Sequence, residues 1–386
     1  MPRISGLYDR TSVGGEEVAA FIPAPLPPSE PPLATEKLVP ELQRAEAALA
    51  RLELASAMVP SISWFLYSFV RKEAVVSSQI EGTQATLIDL LAFEAEPAAD
   101  SADVQEICNY LDAVRFARDQ LSNPQGLPLT VRLLNETHRR LMKGVRGQKK
   151  LPGEVRQSQN WIGGTPGKAV FVPPPPHAVP DLLGELERFI HADSPLAPLV
   201  RAGLVHVQFE TIHPYLDGNG RLGRLLIALL LEHWRLLSQP LLYLSSFFKQ
   251  HRAEYYRRLG AVRSDGDFEG WLAFFLEGVT VVANEAVAAT RDLFAMVTAD
   301  REKVLAAKSS SLTAARLFEL LPEHPIVTIS GVGTLLKTTK PTATKAVKAL
   351  VDADVLVERA GQGRARAFAY GAYLERLAAG TELVTR

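Results

Sequence analysis

The chain has 386 residues, a length that favours two or three domains. Hydrophobic residues make up 47% of it and charged residues 22%, the balance of an ordinary globular protein with enough apolar material for a core. The formal net charge of −1 excludes a protein that coats nucleic acid through its overall charge.

The cysteine content and the apolar runs bear on the compartment. Cys108 is the single cysteine, so an internal disulfide cannot form, which suits a reducing environment. The N-terminus, MPRISGLYDRTSVGGEE, lacks the apolar stretch of a signal peptide. The runs LLIALLLEHW and FFLEGVTVVA are too short and too interrupted to span a bilayer. We therefore expect a cytoplasmic protein without a membrane partner.

The first third of the chain is predicted to be helical after an extended arm. Residues 1–35 contain PAPLPPSEPPLA, and proline at this density favours an extended arm that is not a domain. Apolar residues then recur every three or four positions in LVPELQRAEAALARLELA, in roughly residues 61–78, and in EICNYLDAVRFARDQL. Thr130 is placed to cap a further helix, VRLLNETHRRLM.

Residues 144–180 interrupt the helical pattern with many Gly and Pro residues. Two β-prone pieces, QNWIG and KAVFV, flank GTPGK, which predicts a β-hairpin. Helical patterns resume afterwards. The run RLLIALLLEHWRLL is apolar on nearly all faces, which predicts a buried central helix.

The C-terminal segment has a different pattern from about residue 309. Three short helices followed by two strands around a Gly-containing turn predict a winged helix-turn-helix. Residues 331–370 hold seven Lys/Arg and three Asp/Glu, a local excess that suits duplex DNA, although contact with protein or dimerisation is the alternative. The polar and basic residues placed for contact are Thr342, Thr344, Lys345 and Lys348 on the recognition helix and Arg364 and Arg366 on the wing.

The string HPYLDGNGRLGR, residues 213–224, concentrates groups that bind anions. Gly218-Asn219-Gly220 can turn successive backbone amides into one concavity, an anion nest, and a helical run begins directly afterwards. A helix N-terminus adds free N–H groups and a favourable dipole. Arg221 and Arg224 lie three residues apart on one face of its first turn, which matches two phosphates of a polyphosphate.

Two further groups in this string suit catalysis. Asp217 would repel an anion unless a bridging Mg²⁺ joined carboxylate and phosphate oxygens. His213 is suited to take a proton from an attacking hydroxyl. A simple turn, a structural histidine and two surface arginines are the alternative, but the combination of all these groups within twelve residues favours a site for nucleotide phosphates.

HPYLDGNGRLGR resembles the pattern HPFxDGNGRxxR of the Fic (filamentation induced by cAMP) family, with Tyr215 in place of Phe. LPPSEPP, SSQIEGT, VRQSQNWIGG, FVPPPP, FETIHP and YYRRL also resemble segments of bacterial multidomain Fic proteins, so the likeness runs from about residue 20 to 375. It implies a mainly α fold: a Fic-type helical core with a short β-hairpin flap, plus a C-terminal winged helix-turn-helix domain. The expected segments are an N-terminal helical region at 1–110, the catalytic core at 111–300 and the winged helix at 309–386.

The resemblance implies a protein adenylyltransferase, which moves AMP from ATP onto a Ser, Thr or Tyr hydroxyl and releases pyrophosphate. His213 would be the general base and Asp217 would hold Mg²⁺. The flap would pair with an extended segment of the target protein. The expected nucleotide-binding residues, which grip the phosphates or, for Tyr256 beside Tyr255, line the adenine side, are Gly218, Asn219, Gly220, Arg221, Leu222, Gly223, Arg224 and Tyr256.

SSQIEG at residues 77–82 fits the family's inhibitory pattern [S/T]xxxE[G/N]. Ser77 and Glu81 are four residues apart, so they share a helix face, and Gly82 suits a helix end. The resemblance implies that Glu81 competes with the γ-phosphate for Arg224 and so inhibits the enzyme.

A target protein is the expected partner; DNA, bound through the winged helix, and a second copy of the chain are further candidates. Two other functions stay open. One is a transcription regulator whose Fic-like core senses a nucleotide. The other is a different chemistry at the same site, such as transfer of UMP, phosphate or phosphocholine, or hydrolysis.

Overall fold

The computed structural model describes residues 3–13, 15–58, 62–96, 101–145, 147, 149–359 and 366–383. The protein is mainly α with small antiparallel sheets, which confirms the predicted fold class. In chain order the elements are β1 (Gly6–Val13), β2 (Glu16–Pro23), α1 (Val39–Met58), α2 (Ile62–Ile80), α3 (Leu87–Ala95), α4 (Ala102–Ser122), α5 (Val131–Leu141), α6 (Val179–His191), α7 (Pro198–Ile212), α8 (Asn219–His233), α9 (Ser245–Gln250), α10 (Arg252–Asp265), α11 (Phe268–Ala306), α12 (Leu312–Leu320), β3 (Ile326–Thr328), α13 (Ile329–Leu335), α14 (Lys340–Asp352), β4 (Val357–Arg359), β5 (Ala367–Ala369) and α15 (Gly371–Ala378).

The chain divides into two compact units. The first unit comprises Met1–Arg51 and Asn109–Asn284, and the second comprises Leu52–Cys108 and Glu285–Arg386. The unit boundaries fall within α1, α4 and α11. They differ from the segments expected at 1–110, 111–300 and 309–386, and that functional division of the sequence stays a prediction.

The N-terminal residues form a hairpin, so the prediction of an extended arm is wrong for this stretch. β1 and β2 pair antiparallel from Gly6–Pro23 to Val13–Glu16. Val18 and Ala20 are buried and pack with Val172. The alternating burial along β2 explains the hairpin, because it gives the strand an apolar face, whereas the prolines that suggested an arm begin at its end.

Two central helices form the core of the first unit. α7 is buried along nearly its whole length and α8 from Asn219 to Leu231 apart from Gly220, which confirms the predicted buried helix. Gly203 permits close packing here, since a Cβ at that position would lie 2.7 Å from Leu272.

α11 packs against α7 in this core. Its Trp271 is fully buried and donates its indole N–H to the Gly203 carbonyl at 2.8 Å. By length and composition α11 would suffice to cross a membrane, with a mean hydropathy of 1.5 over its most apolar stretch, half of which is buried. Trp271, Leu272 and Phe275 are each fully buried, so packing within the core of the first unit accounts for this part of the apolar stretch.

The start of α5 is capped from another helix. Thr130 stands at the predicted N-cap position, but its hydroxyl donates to the Pro128 carbonyl at 3.2 Å. The Val131 N–H donates instead to the Glu187 carboxylate at 2.6 Å. The cap therefore joins α5 to α6, a contact that local sequence does not reveal.

In the second unit, the C-terminal elements follow the predicted order of three helices and a small sheet. The strands lie in the order β3-β5-β4. Thr344, Lys345 and Lys348 of α14 are exposed and Thr342 is half-buried. Arg366 forms an ion pair with Glu358 across β4 and β5, which offsets its charge, and Arg364 lies outside the described residues. The winged-helix identification and DNA binding stay predictions.

Candidate active site

His213 ends α7 in a left-handed backbone conformation. Its φ is 49° and its ψ is 61°, and its N–H donates to the Phe209 carbonyl at 2.9 Å. A non-glycine residue in this region is strained by on the order of 1–3 kcal/mol, so surrounding contacts must hold it there. This conformation turns the chain sharply from α7 into the loop that leads to α8.

Arg156 supplies the contacts that hold this turn, and the sequence predictions missed it. Its guanidinium donates to the carbonyls of His213 at 2.9 Å, Ile212 at 3.3 Å and Pro174 at 2.5 Å. Its own N–H donates to the Pro214 carbonyl at 2.9 Å. Arg156 is 1% exposed, and burial lowers its pKa to about 10. It remains a cation at neutral pH, and its donors fix the backbone at His213.

Tyr215 and Asn219 close the loop. The Asn219 amide accepts the Tyr215 N–H at 2.9 Å and donates to the Tyr215 carbonyl at 2.7 Å. Tyr215 is fully buried and its hydroxyl donates to Asn135 of α5 at 2.7 Å. The Asn219 side chain therefore stabilises the loop conformation, while its backbone N–H belongs to the start of α8.

His138 of α5 also contacts this loop, at Asp217 and Tyr215, and the sequence did not predict that role. Its Nδ1 accepts the Gly153 N–H at 2.8 Å, so the proton lies on Nε2, which donates to the Asp217 carbonyl at 2.9 Å. Its ring stacks on Tyr215 with centroids 3.9 Å apart. Burial is the main cause that lowers the pKa of His138 to about 4, so the ring is neutral at pH 7.

The start of α8 has the glycine turn and helix N-terminus on which the predicted anion nest depends, and anion binding there stays a prediction. Gly218 adopts φ 76° and ψ 4°, and the Leu222 N–H makes the helix bond to its carbonyl at 3.0 Å. The amides of Asn219, Gly220 and Arg221 precede that bond and are the N-terminal donors of the helix. A Cβ on Gly218 would lie 2.7 Å from the Met142 sulfur, so both the space and the backbone conformation require glycine.

The two arginines of the motif are buried, which disfavours the interpretation of them as solvated surface residues. Arg221 is 4% exposed and Arg224 is 3% exposed. Arg221 donates to the Met142 sulfur at 3.3 Å. Buried guanidiniums at a helix N-terminus concentrate positive charge where an anion would bind.

The remaining predicted nucleotide-binding residues occupy different environments. Leu222 is a fully buried core residue. A Cβ on Gly223 would lie 2.4 Å from the Glu210 carboxylate, so glycine permits the close approach of α7 and α8. Tyr256 is 44% exposed, whereas its neighbour Tyr255 is buried.

Tyr255 donates its hydroxyl to a buried histidine of α7. His206 Nδ1 donates to the Gly223 carbonyl at 3.0 Å, which leaves Nε2 to accept from Tyr255 at 2.9 Å. Burial first, and then the charge of Arg224, lower the pKa of His206 to about 3. Tyr255 is therefore a core residue, and of the two tyrosines Tyr256 is the one accessible to a ligand.

Asp217 presents one carboxylate to the nest. Its Oδ1 accepts the Gly218 N–H at 2.7 Å, and its Oδ2 lies beside Gly147, where a Cβ would approach to 2.8 Å. Among the described residues, no cluster of three or more His, Cys, Asp or Glu side chains could hold a metal ion alone. A single carboxylate fits Mg²⁺ that shares its coordination with phosphate oxygens and water, since Mg²⁺ is usually bound in this way.

The flap is less regular than the predicted two-stranded hairpin. Ile162 and Phe171 form a single β-bridge, and a short 3-10 turn covers Pro166–Lys168. Gly163 and Gly164 both have positive φ values, which curl the chain out of the extended conformation. The flap nevertheless presents the apolar side chains of Ile162, 37% exposed, and Val170, 84% exposed.

Two contacts support the flap from behind. The Gly167 N–H donates to Glu16 of β2 at 2.6 Å. The Arg263 guanidinium of α10 lies 3.9 Å from the centroid of the Phe171 ring, and burial lowers its pKa to about 10. The N-terminal hairpin and α10 thus both anchor the flap.

The loop from His213 to Arg224 lies within a region that matches a known protein family. The family model described as "Fic/DOC family" matches residues 128–231, which include the whole loop from His213 to Arg224. The model "Fic/DOC family N-terminal" matches residues 39–119. The chain contains the N-terminal and Fic regions of the Fic/DOC family. The resemblance noted in the sequence is therefore confirmed at family level.

Known proteins similar to this Fic chain include curated sequences and solved structures. "Protein adenylyltransferase Fic" of Drosophila erecta is 30% identical over 220 residues, which cover 55% of this chain and 41% of that protein. The Drosophila sechellia protein of the same name is 29% identical over the same shares. The chain thus spans about two fifths of the length of the curated relatives it matches.

Two solved structures show the fold. A Fic family protein from Desulfovibrio desulfuricans has a TM-score of 0.57 at 19% identity, covering 88% of this chain and 97% of that one. A Fic domain containing signaling protein from Bacteroides thetaiotaomicron has a TM-score of 0.53 at 16% identity, covering 64% and 97%.

The inhibitory pattern of the Fic chain lies at the end of α2 in the second unit. α2 ends at Ile80, and Gly82 adopts φ +102°, which confirms the predicted helix end. Ser77 is fully buried and Glu81 is exposed. Competition between Glu81 and a nucleotide for Arg224 stays a prediction.

The buried neutral histidines predict an acid-sensitive fold. In the unfolded chain a histidine binds a proton below about pH 6.5, whereas His138 does so only near 4. Between these two pH values the unfolded chain binds more protons than the folded chain. Each such histidine therefore lowers the free energy of unfolding by about 1.4 kcal/mol for each unit by which the pH falls. Urea unfolding at pH 7 and pH 5 should show this loss. His138→Gln, which keeps a donor and an acceptor, should lose less stability between the two pH values than the wild type; an equal loss would contradict the assignment.

Proposed function

We propose that this site transfers AMP from ATP to a hydroxyl group of a protein, either a target or the chain itself. The main support is one loop that places the left-handed His213 at its start and the N-terminal amides of α8, with buried Arg221 and Arg224, at its end. A base and a polyphosphate-binding surface are thus separated by one short, internally hydrogen-bonded turn. Relatives named protein adenylyltransferase support the same activity.

The proposed reaction is a substitution at the α-phosphorus. His213 accepts the proton of the acceptor hydroxyl, whose oxygen forms a bond to the α-phosphorus. The bond between that phosphorus and the bridging oxygen to the β-phosphate breaks, and pyrophosphate leaves with the electron pair. Rate enhancement is expected from positioning and charge neutralisation, since the chain supplies no covalent intermediate in this scheme.

The residues that bind the phosphates are assigned from the family resemblance. Gly218, Asn219, Gly220 and Arg221 cradle the α- and β-phosphates, and Arg224 holds the γ-phosphate. Asp217 would hold Mg²⁺, which supplies further neutralisation of phosphate charge when bound. Asn219 acts mainly through its two bonds to Tyr215, because its amide oxygen and nitrogen are both engaged there.

The nucleobase and the target protein are assigned to two exposed features, the Tyr256 side chain of α10 and the flap. Tyr256 of α10, which is 44% exposed, is assigned to line the adenine side. The flap around Ile162 and Val170 is available to pair with an extended segment of the target, and its exposed apolar side chains suit such a segment.

Glu81 is proposed to inhibit the enzyme by competing for Arg224. Glu81→Gly is expected to raise auto-AMPylation by about 10- to 100-fold, because a competing charge-assisted contact is removed. Mass spectrometry after incubation with Mg-ATP measures this as a mass gain of one adenylate group. Asp354→Gly is the matched control, since it removes another exposed carboxylate of the same unit at a residue with φ 57° that accommodates glycine.

The outcome of this experiment decides between the open alternatives. A nucleotide sensor without transferase activity would show nucleotide binding and no mass gain in any variant. A different chemistry would appear when ATP, GTP, UTP and CDP-choline are tested side by side with Glu81→Gly. Absence of label from ATP in Glu81→Gly would contradict the proposal.

A further inference from the structure

One face of α2 is fastened to the C-terminal end of the chain within the second unit. Ser68, Lys72 and Gln79 are spaced by four and seven residues, so their side chains point to the same side of the helix. The Ser68 hydroxyl lies 3.0 Å from the Tyr373 hydroxyl of α15, and both residues are buried. α2 thus shares a buried polar contact with the last helix of the chain.

Lys72 and Gln79 extend this contact toward the turn that carries Glu81. Lys72 Nζ would lie 3.9 Å from a Cβ at Gly380, and Glu285 and Glu382 favour its charged form against the desolvation that lowers its pKa. The Gln79 amide nitrogen donates to the Thr381 carbonyl at 2.8 Å. The segment after α15 therefore lies along the last turns of α2.

Gln79 also closes the turn itself. The same amide nitrogen donates to the Ala85 carbonyl at 2.9 Å, so both of its protons are used and the turn around Glu81 is spanned from residue 79 to residue 85. Thr83 is 1% exposed and its hydroxyl donates to the Glu106 carboxylate at 2.8 Å, which fixes the turn on its other side. One side chain therefore joins the Glu81 turn to the C-terminal segment.

The C-terminal segment is itself well fixed at this point. Thr381 is 2% exposed, and both its N–H and its hydroxyl donate to the Ala378 carbonyl, at 2.9 Å and 2.7 Å. These bonds turn the chain after α15 and present the Thr381 carbonyl to Gln79. The acceptor is a backbone atom whose position depends on the chain path from Ala378 to Thr381.

We infer that Gln79 is a positioning residue that couples the Glu81 turn to the C-terminal segment 379–383, so that displacement of this segment weakens the inhibition by Glu81. The inference rests on the proposed function. It means that whatever binds or displaces the end of α15 changes transferase activity without contacting the catalytic loop.

The test compares auto-AMPylation, measured as the mass gain of one adenylate group with Mg-ATP, among matched variants. Truncation after Ala379 removes the Thr381 acceptor, and truncation after Leu383 is its control. Gln79→Leu removes both amide bonds, and Gln84→Leu is its control because the Gln84 side-chain amide donates within the turn, to the Gly82 carbonyl at 3.0 Å. Truncation after Ala379 and Gln79→Leu are each expected to raise the label about three- to tenfold, the effect of losing one or two hydrogen bonds, while the controls match the wild type.

Combination with Glu81→Gly separates the possible failures. The truncation and Gln79→Leu should add nothing in that background, because the inhibitory carboxylate is already absent. If both variants match the wild type while Glu81→Gly is active, the inference is wrong and the proposed function stands. If they still raise activity in the Glu81→Gly background, the coupling does not act through Glu81 and the inference is also wrong. No label in Glu81→Gly itself contradicts the proposed function. Thermal unfolding shows whether the chain truncated after Ala379 still folds. If it does not fold, the result for Gln79→Leu decides whether the inference holds.

Discussion

Replacing His213 by alanine is expected to lower AMP transfer by about 10²- to 10⁴-fold, the usual contribution of a positioned general base. The comparison belongs in the Glu81→Gly background, where activity is measurable. Nucleotide affinity should change little, because the α8 amides, Arg221 and Arg224 remain in place. Initial rates of label incorporation and calorimetric titration with Mg-ATP measure the two quantities separately.

His177→Ala is the matched control for this substitution. His177 is an exposed histidine in a 3-10 turn of the same unit, so its removal should leave both rate and affinity unchanged. Transfer at the normal rate by His213→Ala would rule out the histidine as base. Loss of nucleotide binding together with activity would assign it a structural role in the loop.

The loop itself was predictable because its information is contiguous. The order of His, Asp, two glycines and two arginines within one short string defines a turn followed by a helix start, and Gly218 adopts the positive φ that this interpretation requires. The mainly α fold followed from the spacing of apolar residues for the same reason. These features depend on neighbours in sequence, which a pattern can show.

The supports of the loop were not predictable, because each depends on residues distant in sequence. Arg156 contacts the His213 carbonyl across 57 residues, and His138 contacts the Asp217 carbonyl across 79. Their partners are backbone carbonyls, which every residue has, so no particular residue type marks the contact. From the local sequence alone, Arg156 and His138 would be predicted to be solvent-exposed polar residues.

Two local predictions were wrong or incomplete for a different reason. The proline-rich run after β2 led to the prediction of an extended arm, so the β1–β2 hairpin was not predicted. Val18 and Ala20 nevertheless alternate with exposed residues, as a strand requires. The flap contains β-prone residues, but the positive φ values of Gly163 and Gly164 limit it to one bridge. Propensity in short segments gives way to tertiary packing and to the conformation of single glycines.

Arg156→Met tests whether the left-handed His213 is held by this buried cation. Methionine fills much of the same space but donates no hydrogen bond, so the buried carbonyls of Pro174 and Ile212 and the part-buried carbonyl of His213 lose their donor. An unsatisfied buried polar group costs on the order of 1–3 kcal/mol, so the free energy of unfolding should fall by about 3 kcal/mol or more. One of the three carbonyls belongs to His213, so the substitution should also displace the proposed base. The fold-decrease in kcat should therefore exceed the fold-increase in the KM for ATP.

The contrast with an exposed arginine makes the Arg156 result specific. Arg44→Met removes a guanidinium whose side chain is 65% exposed and paired with Glu41, and surface pairs contribute at most about 1 kcal/mol. Urea unfolding of the wild type, Arg156→Met and Arg44→Met measures stability, and steady-state kinetics in the Glu81→Gly background measures kcat and KM.

Equal stability losses for both substitutions would show that Arg156 is an ordinary cation. A stability loss confined to Arg156→Met, with kcat unchanged in the folded fraction, would show that it supports the fold without positioning the base. A joint loss of stability and kcat is the result expected if the strain at His213 is maintained by the three carbonyl contacts, because the base can then occupy its position only while they persist.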